Sequence, residues 1–315
     1  MSLDRSAAPV RASPRIWRTA RFAIDLGRPQ VMGIVNVTPD SFSDGGRHAD
    51  AASAIAHCER LLAEGADILD IGGESTRPGA AQPGVDEELA RVLQVLRHAV
   101  TLGVPVSVDT SRPEVMRAAL DAGADIVNDV RALQRPGALA VVAAHPAAGV
   151  CVMHMRGEPG TMQAAPRYED VVAEVGAFLA QRALEVEAAG VARERIAIDP
   201  GIGFGKSVQH NLELLARQRE LLASGRPLLV GWSRKSTLGA VTGRPVGERL
   251  VASVAAALLA VVRGAAVVRV HDVAATVDAL GLWRAATLGP EQEQLLTMQD
   301  AARTGDAASP GQSRP

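Results

Sequence analysis

The sequence predicts a single (β/α)8 TIM barrel. Three observations carry this: short apolar runs recur eight times, stretches of helical spacing rich in Ala, Leu, Glu and Arg lie between most of them, and each run ends in polar residues or glycine. The runs fall at 31–35, 68–71, 104–108, 125–127, 150–153, 196–198, 227–230 and 266–270, and helical spacing at 51–64, 87–99, 114–122, 170–189, 211–223 and 248–264. Alternation of this kind gives parallel strands with crossover helices. Eight units over roughly 250 residues match one closed barrel better than two smaller domains, with a doubly wound sheet as the alternative. The residues that follow the runs are Asn36, Gly72-Gly73-Glu74, Asp109, Asn128, His154, Asp199, Ser233-Arg234-Lys235 and His271. In a barrel these strand ends converge on one mouth, where such enzymes do their chemistry. Residues 1–22 read as a loose extension, 23–290 as the barrel, and 291–315 as a disordered tail.

Composition narrows the function. A chain of 315 residues with 47% hydrophobic residues can bury a substantial core. A net charge of −2 and 3% aromatics supply neither a basic field nor stacking platforms, which argues against nucleic acid and for a small-molecule enzyme. Cys58 and Cys151 lie far apart with no C-x-x-C pair, so both read as buried, reduced thiols. With no run of 18 apolar residues and no apolar leader, neither a membrane span nor a secretory signal is evident, and the cytoplasm is the expected location.

The loops carry the chemistry, in strand order. The first, from Asn36 to Gly46, sets carboxylates, an amide and hydroxyls after a buried strand, with Phe42 among them in the manner of a lid over a substrate. Its plain alternative is a turn capping the next helix. The second, Gly72 to Gly79, combines flexible glycines with Thr76 and Arg77, a set suited to an anion, or else a Gly-rich connection with a solvated arginine. Ser107 and Asp109 stand two apart on one strand, as do Arg269 and His271, so each pair projects to one side, the second as an anion clamp. The segment from Gly201 to Ser207 invites a phosphate-loop reading, but that motif requires glycine where Pro200 stands, so a nucleotide triphosphatase is rejected. Ser236 falls where helical spacing resumes, as an N-cap or as part of an anion site.

Only two lysines occur, Lys206 and Lys235, among 33 basic residues. An ammonium is a compact, tunable point charge, so a lysine kept where arginine otherwise prevails points to chemistry arginine cannot supply. Compositional drift is the bland alternative.

Taken together, NVTPDSFSD from Asn36 to Asp44, GESTRP from Gly73 to Pro78, SVDT from Ser107 to Thr110, Asn128-Asp129, Met153-His154, DPGIGF from Asp199 to Phe204, SRKS from Ser233 to Ser236 and VRVHD from Val268 to Asp272 resemble the dihydropteroate synthases. The resemblance runs in order from about Val31 to Asp272 and is intact at every motif position, with Trp232 a minor variation. It implies condensation of 6-hydroxymethyl-7,8-dihydropterin pyrophosphate with p-aminobenzoate to 7,8-dihydropteroate and pyrophosphate, in folate biosynthesis and as a target of sulfonamides. It further implies pterin binding by Asp109, Asn128, Met153, Asp199, Gly203, Phe204 and Lys235, and pyrophosphate binding by Asn36, Thr76, Arg77, Arg269 and His271. p-Aminobenzoate would meet Phe42, Pro78 and Ser236. Asp44, Lys235, Thr76 and Arg77 would be catalytic, with Mg2+ held near Asn36, pyrophosphate leaving before the amine attacks, and a homodimer formed through C-terminal helices such as 248–264. Lys206 receives only a loop-supporting role. A methyltetrahydrofolate methyltransferase would share the carboxylate pocket but need no pyrophosphate clamp, and a non-catalytic pterin binder would need no Asn36, Asp44, Lys235 and His271 set.

Overall fold

The apolar runs pair side by side in the parallel sense, as their burial on both faces requires. The computed structural model describes residues 16–37, 46–74, 83–157, 162 and 166–288. A hairpin of β1 (Ile16–Arg18) and β2 (Ala23–Asp25) precedes β3 (Gln30–Asn36), β4 (Ile68–Gly72), β5 (Val106–Asp109), β6 (Ile126–Asp129), β7 (Gly149–Met153), β8 (Ile196–Asp199), β9 (Leu229–Val230) and β10 (Val267–Val270). Their order in the sheet, β8-β7-β6-β5-β4-β3-β10-β9, becomes a ring through a parallel bridge between Ile198 and Leu228. Each of the eight expected runs is a barrel strand. The seventh shrinks to Leu229–Val230, with Pro227 contributing its carbonyl to Ile198 N.

The helices are α1 (Gly46–Ala63), α2 (Val85–Ala99), α3 (Pro113–Asp121), α4 (Ala138–Ala144), α5 (Val171–Ala188), α6 (Val208–Ala216), α7 (Ser236–Thr242), α8 (Leu250–Val262) and α9 (Val273–Leu288). Their starts have local causes. Pro113 occupies the first turn of α3, Asp170 caps α5 by accepting from Val172 N and Ala173 N, and Ser207 and His210 form a reciprocal capping box on α6. Asp86, Glu87 and Glu88 open α2 and Arg97 and His98 close it, each sign set against the opposite end of the helix dipole. The expected helix 211–223 ends at Ala216 and continues as a 3-10 turn, Gln218–Ser224.

Period-two alternation divides every strand between two cores. Leu69, Ile71, Val106, Val108, Val127, Val150, Val152, Ile196, Ile198, Val230, Val268 and Val270 face the helices. Met32, Ile68, Ile126, Cys151, Ala197, Leu229 and Val267 face inward at the bottom of the barrel, where they meet Trp17 and Ile24 of the hairpin. Trp17 is fully buried and its indole N–H reaches Arg195 O at 3.0 Å. Truncating such a side chain to Ala costs about 3–5 kcal/mol. Residues from Ile16 onward therefore belong to the packing of the barrel, including 16–22 of the segment expected as an extension; residues 1–15 and the tail expected over 291–315 lie outside the described residues. Cys58 and Cys151 are free and buried. Among the described residues no helix is long and apolar enough to cross a membrane.

Candidate active site

Within two residues of the apolar bottom the barrel interior becomes charged. Parity is the reason: Ile68 and Asp70, Ser107 and Asp109, Ile126 and Asn128, Ala197 and Asp199, and Val267 and Arg269 are i, i+2 pairs, each on one side of its strand. Above them opens a cavity of about 480 Å3. It brings together Asn36, Asp109, Asn128, Met153, Asp199, Gly203, Phe204, Lys235, Ser236, Arg269 and His271, all singled out from sequence. Phe42, Asp44, Thr76, Arg77 and Pro78, on the loops expected after the first two barrel strands, lie outside the described residues.

The floor is an ion-pair network. Arg269 donates from Nε to Asp70 Oδ2 at 2.5 Å and from Nη2 to Asp109 Oδ2 at 2.7 Å, and Asn128 Nδ2 donates to Asp70 Oδ2 at 3.2 Å. Asp70 is wholly buried. It is not among the residues singled out from sequence, where its one mark is a carboxylate inside an apolar run, two before Gly72. Burial raises the Asp109 carboxyl above its usual range, with Arg269 opposing and Asp70 adding to the rise. Asp199 is raised to about 6, first by burial, while Gly201 N donates to its Oδ1 at 2.7 Å and lowers it. Asp129, adjacent to Asn128 in sequence, faces away from the cavity. It accepts from Ser111 Oγ, Arg131 N and Leu133 N and so holds a turn in which Ala132 and Leu133 both adopt positive φ.

Lys235 is aimed by its neighbour. Arg234 sits at φ 59, a conformation costly for a side chain of its size, and is held there by a forked pair to Asp272 and by its own N–H on Ser253 Oγ at 3.0 Å. The sharp turn sends Arg234 outward and Lys235 inward, its Nζ 4.2 Å from the centre of the Phe204 ring. Burial, reinforced by Arg269, lowers its pKa to about 8, against Asp199 and Asp109. Lys206 is buried behind the cavity wall, among the carbonyls of the Gly201–Gly205 turn, and burial draws its pKa to about 7.

His271 is neutral rather than the cationic half of a clamp. Burial, then Arg234 and Arg269, lowers its pKa to about 3. The Ser233 hydroxyl accepts from His271 N at 3.2 Å and shares a hydrogen bond with Nδ1 at 3.0 Å, and in the tautomer with its proton on Nε2 the ring is a donor for a ligand. Arg269 is likewise committed at Nε and Nη2 to carboxylates. Among the described residues no cluster of three or more His, Cys, Asp or Glu could cage a metal. Asn36, at the end of β3, lines the cavity and brings one amide oxygen to it.

Acceptors across the floor, a tuned ammonium facing them and basic donors at the rim make a well for a flat heterocycle bearing an anionic arm. Fold and site thus define a pterin-binding barrel enzyme, and the profile of a family described as pterin binding enzyme matches residues 32–271. The dihydropteroate synthase of Neisseria meningitidis serogroup B is 54% identical over 276 residues, covering 86% of this chain and 97% of that protein. The structure of Xanthomonas albilineans dihydropteroate synthase with 4-aminobenzoic acid is similar at TM-score 0.83 and 53% identity, over 88% of this chain and 99% of that one. For Burkholderia cenocepacia dihydropteroate synthase complexed with 7,8-dihydropteroate the values are 0.81 and 52%, over 89% and 99%. The chain belongs to the dihydropteroate synthases, which are transferases.

Proposed function

We propose that the cavity takes 6-hydroxymethyl-7,8-dihydropterin pyrophosphate ring-first and joins it to p-aminobenzoate by a dissociative substitution. One observation carries the placement: Asp109, Asn128 and Asp199 line one cavity with Lys235, whose ammonium feels the charges of Asp199 and Asp109. The pyrimidine edge of a pterin offers N–H donors to such acceptors, and its carbonyl and ring nitrogen accept from an ammonium. Met153, Gly203 and Phe204 supply apolar walls, and the absence of a Cβ at Gly203 leaves room for the Lys235 stem, whose Cδ would lie 3.3 Å from one.

The methylene C–O bond breaks first. Its electron pair leaves on pyrophosphate, and the positive charge spreads over the electron-rich dihydropterin. The arylamine lone pair then forms the C–N bond, and its proton passes to Asp44 or water. An arylamine is neutral at pH 7, so its attack needs no strong base. Asn36, Arg269 and the Nε2–H of His271 hold the departing pyrophosphate, joined by Thr76 and Arg77. Asn36 would supply one oxygen to a Mg2+ ion, whose chemistry there would be to neutralise charge on the leaving group. p-Aminobenzoate follows with its carboxylate at Ser236, and Phe42 and Pro78 are the residues assigned to its ring. A normal secondary deuterium isotope effect at the methylene carbon, in turnover that releases pyrophosphate only when p-aminobenzoate is present, is the expected result. A value of unity would mean concerted displacement.

The active form is a cytoplasmic homodimer. Leu250, Val251, Leu259 and Val262 of α8, with Leu282 of α9, are exposed apolar side chains, Val251 at 80% and Leu282 at 75%. Light scattering on Val251→Asp, giving half the mass of the parent, tests this face.

A further inference from the structure

Lys206 does not line the cavity, yet it is 2% exposed and its ammonium has four acceptors around it. Nζ donates to Gly201 O at 2.9 Å, Phe204 O at 3.0 Å, His154 Nδ1 at 2.9 Å and, more weakly, His154 O at 3.3 Å. Three of these are main-chain carbonyls turned inward from two different segments, and buried carbonyls without a donor are costly. The turn that presents them is forced into this shape. Gly201, Gly203 and Gly205 all have positive φ, and a Cβ would fall 1.9 Å from His154 O at Gly201 and 2.1 Å from Arg156 O at Gly205. Backbone thus packs on backbone, and the carbonyls that this packing turns inward close around one point charge. A tetrahedral ammonium suits acceptors arrayed on several sides. A planar guanidinium, larger and with its donors in one plane, does not.

The same turn sets the pterin contacts. Gly201 N donates to Asp199 Oδ1 at 2.7 Å, and His154 N donates to Asp199 O at 2.9 Å. Phe204, whose carbonyl Lys206 holds, is the ring beneath Lys235. On its far side the turn is tied by Gly203 N to Asn211 Oδ1 at 2.9 Å, and Asn211 Nδ2 to Thr237 Oγ1 at 2.9 Å. His154 stays neutral, lowered to about 3 by burial and then by Lys206, and so remains an acceptor at Nδ1; its ring packs edge-on to Phe178 at 5.0 Å.

We propose that Lys206 is a positioning residue for the pterin substrate: its ammonium clips the Gly201–Gly205 turn to the end of β7 and thereby fixes Asp199 and Phe204 where they meet the ring. The proposal rests on the pterin placement given above. It assigns Lys206 first to the pterin substrate, because the ammonium holds the turn and the end of β7 directly, whereas Ser236 is reached only at second hand, through Asn211 and Thr237.

The test is steady-state kinetics on Lys206→Met and Lys206→Arg, with Asp199→Asn measured in parallel. KM for the dihydropterin pyrophosphate should rise about tenfold or more in Lys206→Met, as expected for loss of hydrogen bonds to a charged donor, while KM for p-aminobenzoate stays within about twofold. Lys206→Arg should not rescue it. Equal changes in both KM values, or a fall in kcat alone, would overturn the proposal, as would full rescue by arginine. If Lys206→Met does not fold, His154→Gln, which removes one acceptor of the clip, decides: a selective rise in KM for the pterin substrate supports the clip, and unchanged constants overturn it. Asp199→Asn separates the two levels. A wild-type KM there would remove the pterin placement and the clip with it, whereas a raised KM there beside an unaffected Lys206→Met would remove the clip alone.

Discussion

Replacing Asp70 with asparagine preserves the side-chain volume and deletes the charge that anchors the floor of the well. Asp70 Oδ2 receives both Arg269 Nε at 2.5 Å and Asn128 Nδ2 at 3.2 Å. An amide in its place keeps one neutral acceptor for both donors and buries an NH2 group where Oδ1 has no partner. Removing one partner of a buried ion pair costs about 3–5 kcal/mol. Arg269 is 20% exposed and keeps Asp109 at 2.7 Å, which places the cost near the low end, about 3 kcal/mol. For a barrel of this size that is a fall in melting temperature of roughly 5 °C. Arg269 then answers to Asp109 alone, and its guanidinium loses the second anchor that fixes its tilt towards the rim. The loss of one oriented charged hydrogen bond lowers kcat/KM for the pterin substrate by about tenfold or more. Calorimetric melting and initial rates on Asp70→Asn check both figures. A variant that melts within 1 °C of the parent, or so, and turns over within about twofold would refute the view that Asp70 orients Arg269.

Three further outcomes follow from the same geometry. Lys235→Arg should retain charge yet lose most turnover, because Gly203 and Phe204 leave a channel for a narrow stem and not for a planar fork; wild-type rates would contradict the role of that ammonium. The kcat/KM profile for the pterin substrate should be bell-shaped. Asp109, raised to about 7, and Asp199, raised to about 6, must be ionised to accept and so lose function as pH falls through those values, whereas Lys235, lowered to about 8, must be protonated and loses function as pH rises through it. The residual activity of Lys235→Arg should lack the alkaline fall, and its persistence near pH 8 would reassign that limb. Excess chelator should abolish pyrophosphate release, and undiminished turnover would sink the leaving-group role given to Mg2+.

The strands were legible because a barrel buries them on both faces, so each reads as an apolar run whose end is marked by the first polar residue. What the sequence hid were features that depend on three-dimensional neighbours. Asp70 lies inside an apolar run and looks like a lapse in it until parity places it beside Asp109 and Arg269. The β1–β2 hairpin consists of two three-residue strands, IWR and AID, too short to show a period, and its one clue was the isolated Trp17. α4 spans seven residues of Ala, Leu and Val, which fit a buried strand as well as a short helix. The neutrality of His271 could not be read from its type, because it arises from burial beside Arg234 and Arg269. The two lysines were conspicuous from composition, yet their division of labour needed coordinates: one faces the cavity, the other faces carbonyls behind its wall.

The hairpin beneath the barrel has a kinetic consequence. Trp17 and Ile24, seated on Met32, Ile68, Ile126 and their neighbours, stopper the lower end of the well with side chains at or near zero exposure. Traffic must therefore pass through the mouth alone, as into a flask. On the proposed placement, with the ring in the floor and p-aminobenzoate above it, the deeper occupant enters first, and a p-aminobenzoate that arrives early blocks its path. The stopper thus imposes a queue: ordered addition of the two substrates, and inhibition by excess of the second.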